Sequence, residues 1–163
     1  MQPVTETTEI RPAAPADVGE VLALIRELAE YEKLLHEVVA TEELVLESLF
    51  GARPVAECVL ACVNGNPVGF ALFFHNYSTF KGRAGLFLED LFVRPEYRGQ
   101  GIGEALLKHL AKLAVERGCA RMEWAVLDWN KRAIQFYERM GAAGVHDWTI
   151  FRVTGEALAR LGS

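Results

Sequence analysis

The stretch LEDLFVRPEYRGQGIGEALLKHLAKLA, residues 88–114, decides the fold. Its first six residues are apolar except for Glu89 and Asp90, and such a run is typical of a strand in the centre of a sheet. A loop with three glycines follows, and apolar residues then recur at helical spacing until Gly118. The stretch therefore predicts a buried strand, a glycine-rich loop and an amphipathic helix, in that order.

The loop between this strand and this helix has the composition of an anion site. Gly99, Gly101 and Gly103 lack the Cβ atoms that would keep a ligand away from the backbone N–H groups. The first turn of the helix adds unpaired N–H groups and a partial positive charge. Both features suit a pyrophosphate, although glycines are also common in loops that are only turns.

Two other nucleotide-binding loops can be compared with this spacing. A P-loop needs Lys and then Ser or Thr at the helix start, whereas Gly103 is followed by Glu104 and Ala105, so this interpretation fails. A dinucleotide-binding fold needs GxGxxG almost directly after its strand, and here the loop is longer and reads GxGxG. Asp128, after the next predicted strand, keeps a dinucleotide enzyme open as the weaker alternative.

The remaining patterns predict a mixed α/β fold with a mostly antiparallel central sheet flanked by helices. The predicted helices are 17–32, 41–50, 104–117 and 130–140, and the predicted strands are 9–11, 58–63, 68–74, 85–93, 122–127 and 148–153. Asp17 and Asn130 are expected to cap the helices that they precede, and Asn64-Gly65 predicts a tight hairpin. Residues 1–8 are expected to form a loose tail, and residues 9–163 a single domain.

Composition excludes several classes of protein. The 163 residues are 51% hydrophobic, which is enough for one globular core. The net charge of −5, from 17 basic and 22 acidic residues, argues against nucleic-acid or anionic-membrane partners and weakly favours a cationic ligand. Three cysteines in or beside apolar runs predict a reducing cytoplasm, and no metal-ligand spacing, signal peptide or membrane-spanning run is present.

The two acids of the central strand are unusual. Adjacent residues of a strand point to opposite faces, so Glu89 or Asp90 is expected to lie where an apolar side chain would normally be. An alkylammonium ion, with a pKa near about 10.4, must lose a proton before its nitrogen can attack. A carboxylate in an apolar strand could bind that ion and relay its proton through water, or it could serve only a β-bulge or a structural ion pair.

The segment Tyr97–Gly103 resembles the Arg/Gln-x-x-Gly-x-Gly/Ala signature of the GNAT superfamily of acetyl-CoA-dependent N-acetyltransferases. Within it, residues 9–160 resemble the spermidine/spermine N-acetyltransferase-like group. The segments that carry this likeness are IRPAAPAD, ELAEYE, YSTFKGR, FLEDLFV, LDWNKRAIQFYERMGA and DWTIFRVTGEAL. YSTFKGR and LDWN look closer to the thialysine-acetylating branch. The resemblance implies a sheet splayed at the acetyl-CoA site, direct attack by an amine without a metal, and a homodimer.

The resemblance also implies roles for individual residues. Tyr137 would be the general acid for the leaving thiolate, although with Phe136 and Met140 it could equally be a core residue, and Glu89 would be the base. The implied cofactor contacts are Leu91, Phe92, Val93, Arg98, Gly99, Gln100, Gly101, Ile102, Gly103, Glu104, Asn130, Lys131, Arg132, Ala133 and Tyr137. The implied amine pocket consists of Tyr31, Glu32, Ser78, Glu89, Asp90, Trp124 and Trp148.

The chain departs from the polyamine pattern at Ser78, Phe80 and His146, where that pattern has an acid, a tryptophan and an acid. Two fewer carboxylates predict an acceptor with fewer positive charges, such as a thialysine-like amino acid or a short diamine. Two further interpretations stay open: a non-enzymatic acyl-CoA sensor, and an acetyltransferase acting on protein or peptide amines.

Overall fold

The computed structural model describes residues 6–163. They divide into two compact units, residues 6–125 and 126–163, which are treated separately below. Most of the predicted tail, residues 1–5, lies outside the described residues. Thr7 and Thr8 are held by the sheet instead, because Thr7 N–H donates to Asn64 Oδ1 at 3.1 Å and Thr8 pairs with Val63.

The first unit is built on a five-stranded sheet. Its strands are β1 (Thr8–Pro12), β2 (Glu57–Val63), β3 (Asn66–Ser78), β4 (Arg83–Val93) and β5 (Met122–Trp124). They lie side by side in chain order, antiparallel except for the parallel pair β4–β5. The predicted mixed, mostly antiparallel sheet is confirmed, but β5 ends at Trp124, three residues earlier than predicted.

Three helices cover this sheet, namely α1 (Val18–Tyr31), α2 (Glu42–Phe50) and α3 (Ile102–Glu116). The apolar stripes of α1 and α2 share one core with alternate residues of β2, β3 and β4. The intervening strand residues, such as Val59 and Phe73, are also buried but lie outside that core. Because strand side chains alternate, they form the opposite face, on which α3 packs.

One predicted helix cap is wrong. The Asp17 side chain makes no hydrogen bond to the first turn of α1. Its carboxylate accepts two hydrogen bonds from Arg11, at 2.7 and 2.9 Å, and one from Ala14 N–H at 2.7 Å. The ion pair competes for the same oxygens and is the stronger interaction, because both partners are charged.

The second unit contains two helices, α4 (Lys131–Arg139) and α5 (Gly155–Leu161). The predicted strand 148–153 is wrong, since these residues have no regular structure and pair with no described strand. The alternation of apolar residues there fits a strand, but a strand also needs a partner, which a local pattern does not supply. The side chains of Trp148, Ile150 and Phe151 are instead 80, 80 and 93% exposed.

Candidate active site

Strand β4 contains a bulge at the first of its two acids. Asp90 pairs with Leu72 of β3, and Leu88 pairs with Phe73, so Glu89 is an extra residue with no partner opposite. Glu89 is exposed and Asp90 is half-buried. The bulge also breaks the expected alternation, because Leu88 and Asp90 are two residues apart and yet face opposite sides of the sheet, with Phe73 and Leu72 respectively.

Asp90 shares a row of the sheet with apolar residues. Cys58 of β2 pairs with Leu72, and Leu72 pairs with Asp90, so the three side chains lie on one face. Cys58 and Leu72 belong to the core beneath α1 and α2. The bulge therefore turns Asp90 toward this core, where a carboxylate loses much of its hydration.

This environment changes the proton affinity of Asp90. Burial, followed by the charges of Glu89 and Glu32, raises the pKa of Asp90 to about 7. Burial also raises the pKa of Glu32, which directly follows α1. The Cys58 thiol, in the same row, has its pKa raised to about 12 by burial and by the charges of Asp90 and Asp17. Three acids thus converge at a place that favours a proton or another cation.

We expect Asp90→Asn to stabilise the protein above neutral pH. Between the unfolded pKa of an aspartate, about 3.9, and the folded pKa of about 7, the folded chain binds more protons than the unfolded chain. Wild-type stability should therefore fall as pH rises through this window, by on the order of 1–3 kcal/mol. Urea unfolding of both proteins at pH 5 and pH 8 measures this difference, and equal pH dependence would contradict it.

Among the described strands of the first unit, none pairs with the C-terminal half of β4 on the side away from β3. The ladder with β5 covers only Leu86–Leu88 and ends at Trp124, which is half-buried and pairs with Leu88 beside the bulge. In an antiparallel ladder, every second residue directs its backbone N–H and C=O groups at the neighbouring strand. Arg94 is such a residue, because its N–H donates to Val68 O on β3. The backbone groups of Val93 and Leu91 therefore point away from β3. An extended ligand that contains amides could pair with such an edge.

The glycine loop has a backbone geometry that suits its predicted role as an anion site. Gly99 and Gly101 have φ values of 77° and 80°, a conformation that suits glycine. A Cβ atom built at either residue meets no atom within 4 Å, so the space beside them is open. The first bond of α3 runs from Ala105 N–H to Gly101 O, which leaves the N–H groups of residues 102–104 without partners inside the helix.

Two arginines hold this loop in place. Arg94 pairs with Glu27 of α1 at 3.0 Å and donates to Pro67 O at 2.8 Å. Arg98 Nε donates to Val93 O at 3.1 Å, and its guanidinium lies 4.7 Å from the centre of the Tyr31 ring. The end of α1, the end of β4 and the loop are therefore connected, and nothing in the local sequence pattern indicated the contact between Arg98 and Tyr31.

Ser78, predicted to lie in the amine pocket, is buried at the end of β3, where the turn to β4 begins. It is only 3% exposed, its Oγ accepts from Lys81 N–H at 3.4 Å, and its carbonyl accepts from Gly82 N–H at 2.8 Å. Phe80, at the tip of the same turn, is fully exposed. The Ser78 hydroxyl thus accepts a hydrogen bond from the turn that follows it.

The other predicted site residues belong to the second unit. Asn130 caps α4 as predicted, because its Oδ1 accepts from Ala133 N–H at 3.2 Å. Lys131 and Arg132 are exposed in the first turn of that helix. Tyr137 is half-buried, with its ring 5.4 Å from that of Phe136. Trp148 is largely exposed, outside any helix or strand.

Residues 6–163 lack the features of two other classes of site. Within this range, no group of three or more His, Cys, Asp or Glu side chains is arranged to hold a metal ion. No helix in the same range is both long enough and apolar enough to cross a membrane.

Comparison with known proteins agrees with this geometry. Residues 22–142 match the model of the acetyltransferase (GNAT) family. The chain is 44% identical to a thialysine N-epsilon-acetyltransferase from Bos taurus, over 93% of this chain and 95% of that protein. It is 34% identical to an L-ornithine N5-acetyltransferase from Arabidopsis thaliana, over 93% and 86%. The solved structure of an integron cassette protein from V. cholerae superposes with a TM-score of 0.80 at 26% identity, covering 95% of this chain and 97% of that one.

The family match covers most of the chain, and the curated relatives match it nearly from end to end. The family resemblance of the glycine loop and the likeness of YSTFKGR and LDWN to the thialysine-acetylating branch are thus confirmed. The chain belongs to the GNAT family and is an N-acetyltransferase.

Proposed function

We propose that this enzyme transfers the acetyl group of acetyl-CoA to a primary amine of a small cationic acceptor, namely a thialysine-like amino acid, a diamine or a polyamine. The observation that carries the proposal is the half-buried Asp90 in the strand that leads into the glycine loop. A carboxylate for a cation, an open strand edge for amides and a loop for an anion follow one another within residues 89–104. The carboxylate suits the cationic amine, and the strand edge and the loop suit the amides and the pyrophosphate of acetyl-CoA.

The chain offers backbone groups that fit acetyl-CoA, which supplies the acetyl thioester. The N–H groups of the segment Arg98–Glu104, with open space beside Gly99 and Gly101, suit its pyrophosphate. At the edge of β4 that faces away from β3, the backbone groups of Leu91 and the N–H of Val93 suit the amides of its pantetheine arm, while Val93 O accepts from Arg98 Nε. From the family resemblance, residues 130–133 and Tyr137 of the second unit keep their predicted cofactor contacts.

The acids of β4 would bind the ammonium group of the acceptor and remove its proton. An alkylamine with a pKa near about 10.4 is neutral in only about one molecule in 2,500 at pH 7. Asp90, whose pKa is raised to about 7, can hold the ammonium group once its carboxyl is ionised. Glu89 remains the proposed base, and its exposure would let it receive the proton through water. Tyr137 would then donate a proton to the leaving sulfur.

We expect Glu89→Gln to lower kcat/KM most strongly below the pKa of the amine, where a proton must be removed. The loss should be about tenfold or more at pH 7 and should shrink toward pH 10. A pH–rate profile of wild type, Glu89→Gln and Asp90→Asn measures it. A loss that is uniform across pH would assign Glu89 to binding or folding, and a pH-dependent loss in Asp90→Asn alone would make Asp90 the base.

The acceptor that we favour is a thialysine-like amino acid or a short diamine rather than a long polyamine. Ser78, at the end of β3, replaces a carboxylate of the polyamine pattern, and His146 replaces another. The two relatives described above are named for thialysine and L-ornithine, which are both amino acids with a side-chain amine.

The experiment that tests the function measures release of free thiol from acetyl-CoA with thialysine, lysine, ornithine, short diamines, spermidine or a lysine peptide as acceptor. Acceptor-dependent release with a small amine supports the proposal. Binding of acetyl-CoA without such release would favour a sensor, and release with the peptide alone would favour a protein acetyltransferase. A rise in Tm with NAD but not with CoA would favour the dinucleotide alternative.

We also infer a homodimer in a reducing, cytoplasmic setting. The exposed Trp148, Ile150 and Phe151 form an apolar segment of the second unit that a second copy would cover. Cys58, Cys62 and Cys119 are all free thiols, which a reducing compartment preserves. Analytical ultracentrifugation should show a dimer, and Phe151→Glu should shift it toward the monomer. Monomeric wild-type protein at micromolar concentration would contradict the inference.

A further inference from the structure

The Arg98 side chain is directed from the glycine loop toward the end of α1. Its Nε donates to Val93 O at 3.1 Å, and this bond fixes the plane of the guanidinium group. The centre of the group lies 4.7 Å from the centroid of the Tyr31 ring and 5.6 Å from that of Phe92. Both distances are within the range of about 6 Å in which a cation is attracted to an aromatic face.

The two rings belong to the side of the sheet that carries the acids. Phe92 lies two residues after Asp90 in β4 and belongs, like its neighbours beneath α1, to the same core. The two residues are thus separated by about 7 Å along one face of the strand. Tyr31 ends α1 and is followed by Glu32, whose charge contributes to the raised pKa of Asp90. Arg98 therefore contacts the surroundings of the acids and not only its own loop.

We propose that the Arg98 side chain is a positioning residue for the amine site, while the backbone N–H of the same residue serves the cofactor loop. The proposal rests on the proposed function and deepens it. Held by the Val93 carbonyl, the guanidinium fixes the Tyr31 ring as a wall beside Glu32 and Asp90. A planar guanidinium can stack on a ring in this way, whereas a lysine ammonium cannot.

The same contacts separate this role from phosphate binding. To reach an anion at Gly99–Gly103, the guanidinium would have to leave the Val93 carbonyl and both rings. The backbone N–H groups of that segment already suit the anion, because Gly99 and Gly101 have positive φ angles and open space where a Cβ atom would stand. Loss of the Arg98 side chain should consequently weaken binding of the amine more than binding of acetyl-CoA.

The test compares Arg98→Lys and Arg98→Gln with wild type. We expect KM for the amine to rise about 5- to 20-fold in both variants. The Kd for acetyl-CoA, measured by calorimetry, should change less than about threefold. A double-mutant cycle with Tyr31→Leu should show that Arg98→Gln adds little once the ring is gone. Tyr31→Phe keeps the ring and should retain the coupling to Arg98.

Three results would overturn the proposal: a weaker Kd for acetyl-CoA with an unchanged KM for the amine, no change in either constant, or additive effects of Arg98→Gln and Tyr31→Leu. If Arg98→Gln does not fold, Arg98→Lys keeps the charge and decides the same question. If the wild type acetylates no amine, the proposed function fails. The role of Arg98 is then decided by calorimetric binding of thialysine to wild type and variants in the presence of CoA.

Discussion

Tyr137→Phe is expected to lower kcat for acetyl transfer by about 100-fold or more, within the usual contribution of a general acid. The phenol, with a pKa near about 10, can protonate a thiolate whose conjugate thiol has a pKa near about 8.5. Phenylalanine preserves the half-buried ring beside Phe136 and removes only the hydroxyl. The Kd for acetyl-CoA should therefore stay within about threefold of wild type.

Steady-state kinetics and calorimetry on the purified variant check this expectation. Tyr77→Phe is a suitable control because Tyr77 is 62% exposed on β3 and we assign it no role in either substrate site. It should leave kcat within about twofold of wild type. If Tyr137→Phe behaves like this control, Tyr137 is not the acid and its half-buried ring serves packing alone.

The second large effect concerns the glycine loop. Gly101→Val should raise the Kd for acetyl-CoA by about 30-fold or more, for two reasons that act together. The φ of 80° at Gly101 is strained for a β-branched residue, and the new side chain would fill the open space beside the helix N-terminus. The anion would then lose its close approach to the N–H groups of α3.

The chain supplies a matched control for the strain. Gly118, just beyond the other end of α3, has a φ of 70° and the same open surroundings. Gly118→Val should lower Tm about as much as Gly101→Val, yet leave the Kd for acetyl-CoA unchanged. Equal loss of affinity in both variants would mean that the effect comes from general destabilisation, and the loop would lose its assignment to the cofactor.

Local patterns predicted most of the fold, because each of its elements has its own signal. Strand β4 and helix α3 begin and end within two residues of the predicted 85–93 and 104–117, and two glycines of the loop between them have positive φ. The bulge at Glu89 was not predictable, since it depends on which residues of β3 stand opposite. The absent strand at 148–153 and the unpredicted helix α5 have a similar cause, because short segments take their structure from their partners.

The candidate site was predicted less completely than the fold. Glu89 and Asp90 were predicted as candidates because they are charges in an apolar run. Only the pairing of β4 with β3 showed that Asp90 is the acid turned toward the core. The family resemblance indicated Arg98 as a cofactor residue, and its contact with Tyr31 joins positions 67 residues apart. Such a contact depends on tertiary structure, so the spacing of residues in the sequence does not predict it.

The extra residue in β4 bears on how this enzyme can diverge. Substitutions can change the chemistry of the acid at position 90, but they cannot change the face on which its side chain stands. Deleting Glu89 would restore regular pleating and leave Leu88 opposite Phe73 and Asp90 opposite Leu72, because the extra residue has no partner on β3. New acceptor preferences are therefore accessible by point mutation at positions 89 and 90, and even loss of the codon for residue 89 would remove an exposed carboxylate without changing how the two strands pair.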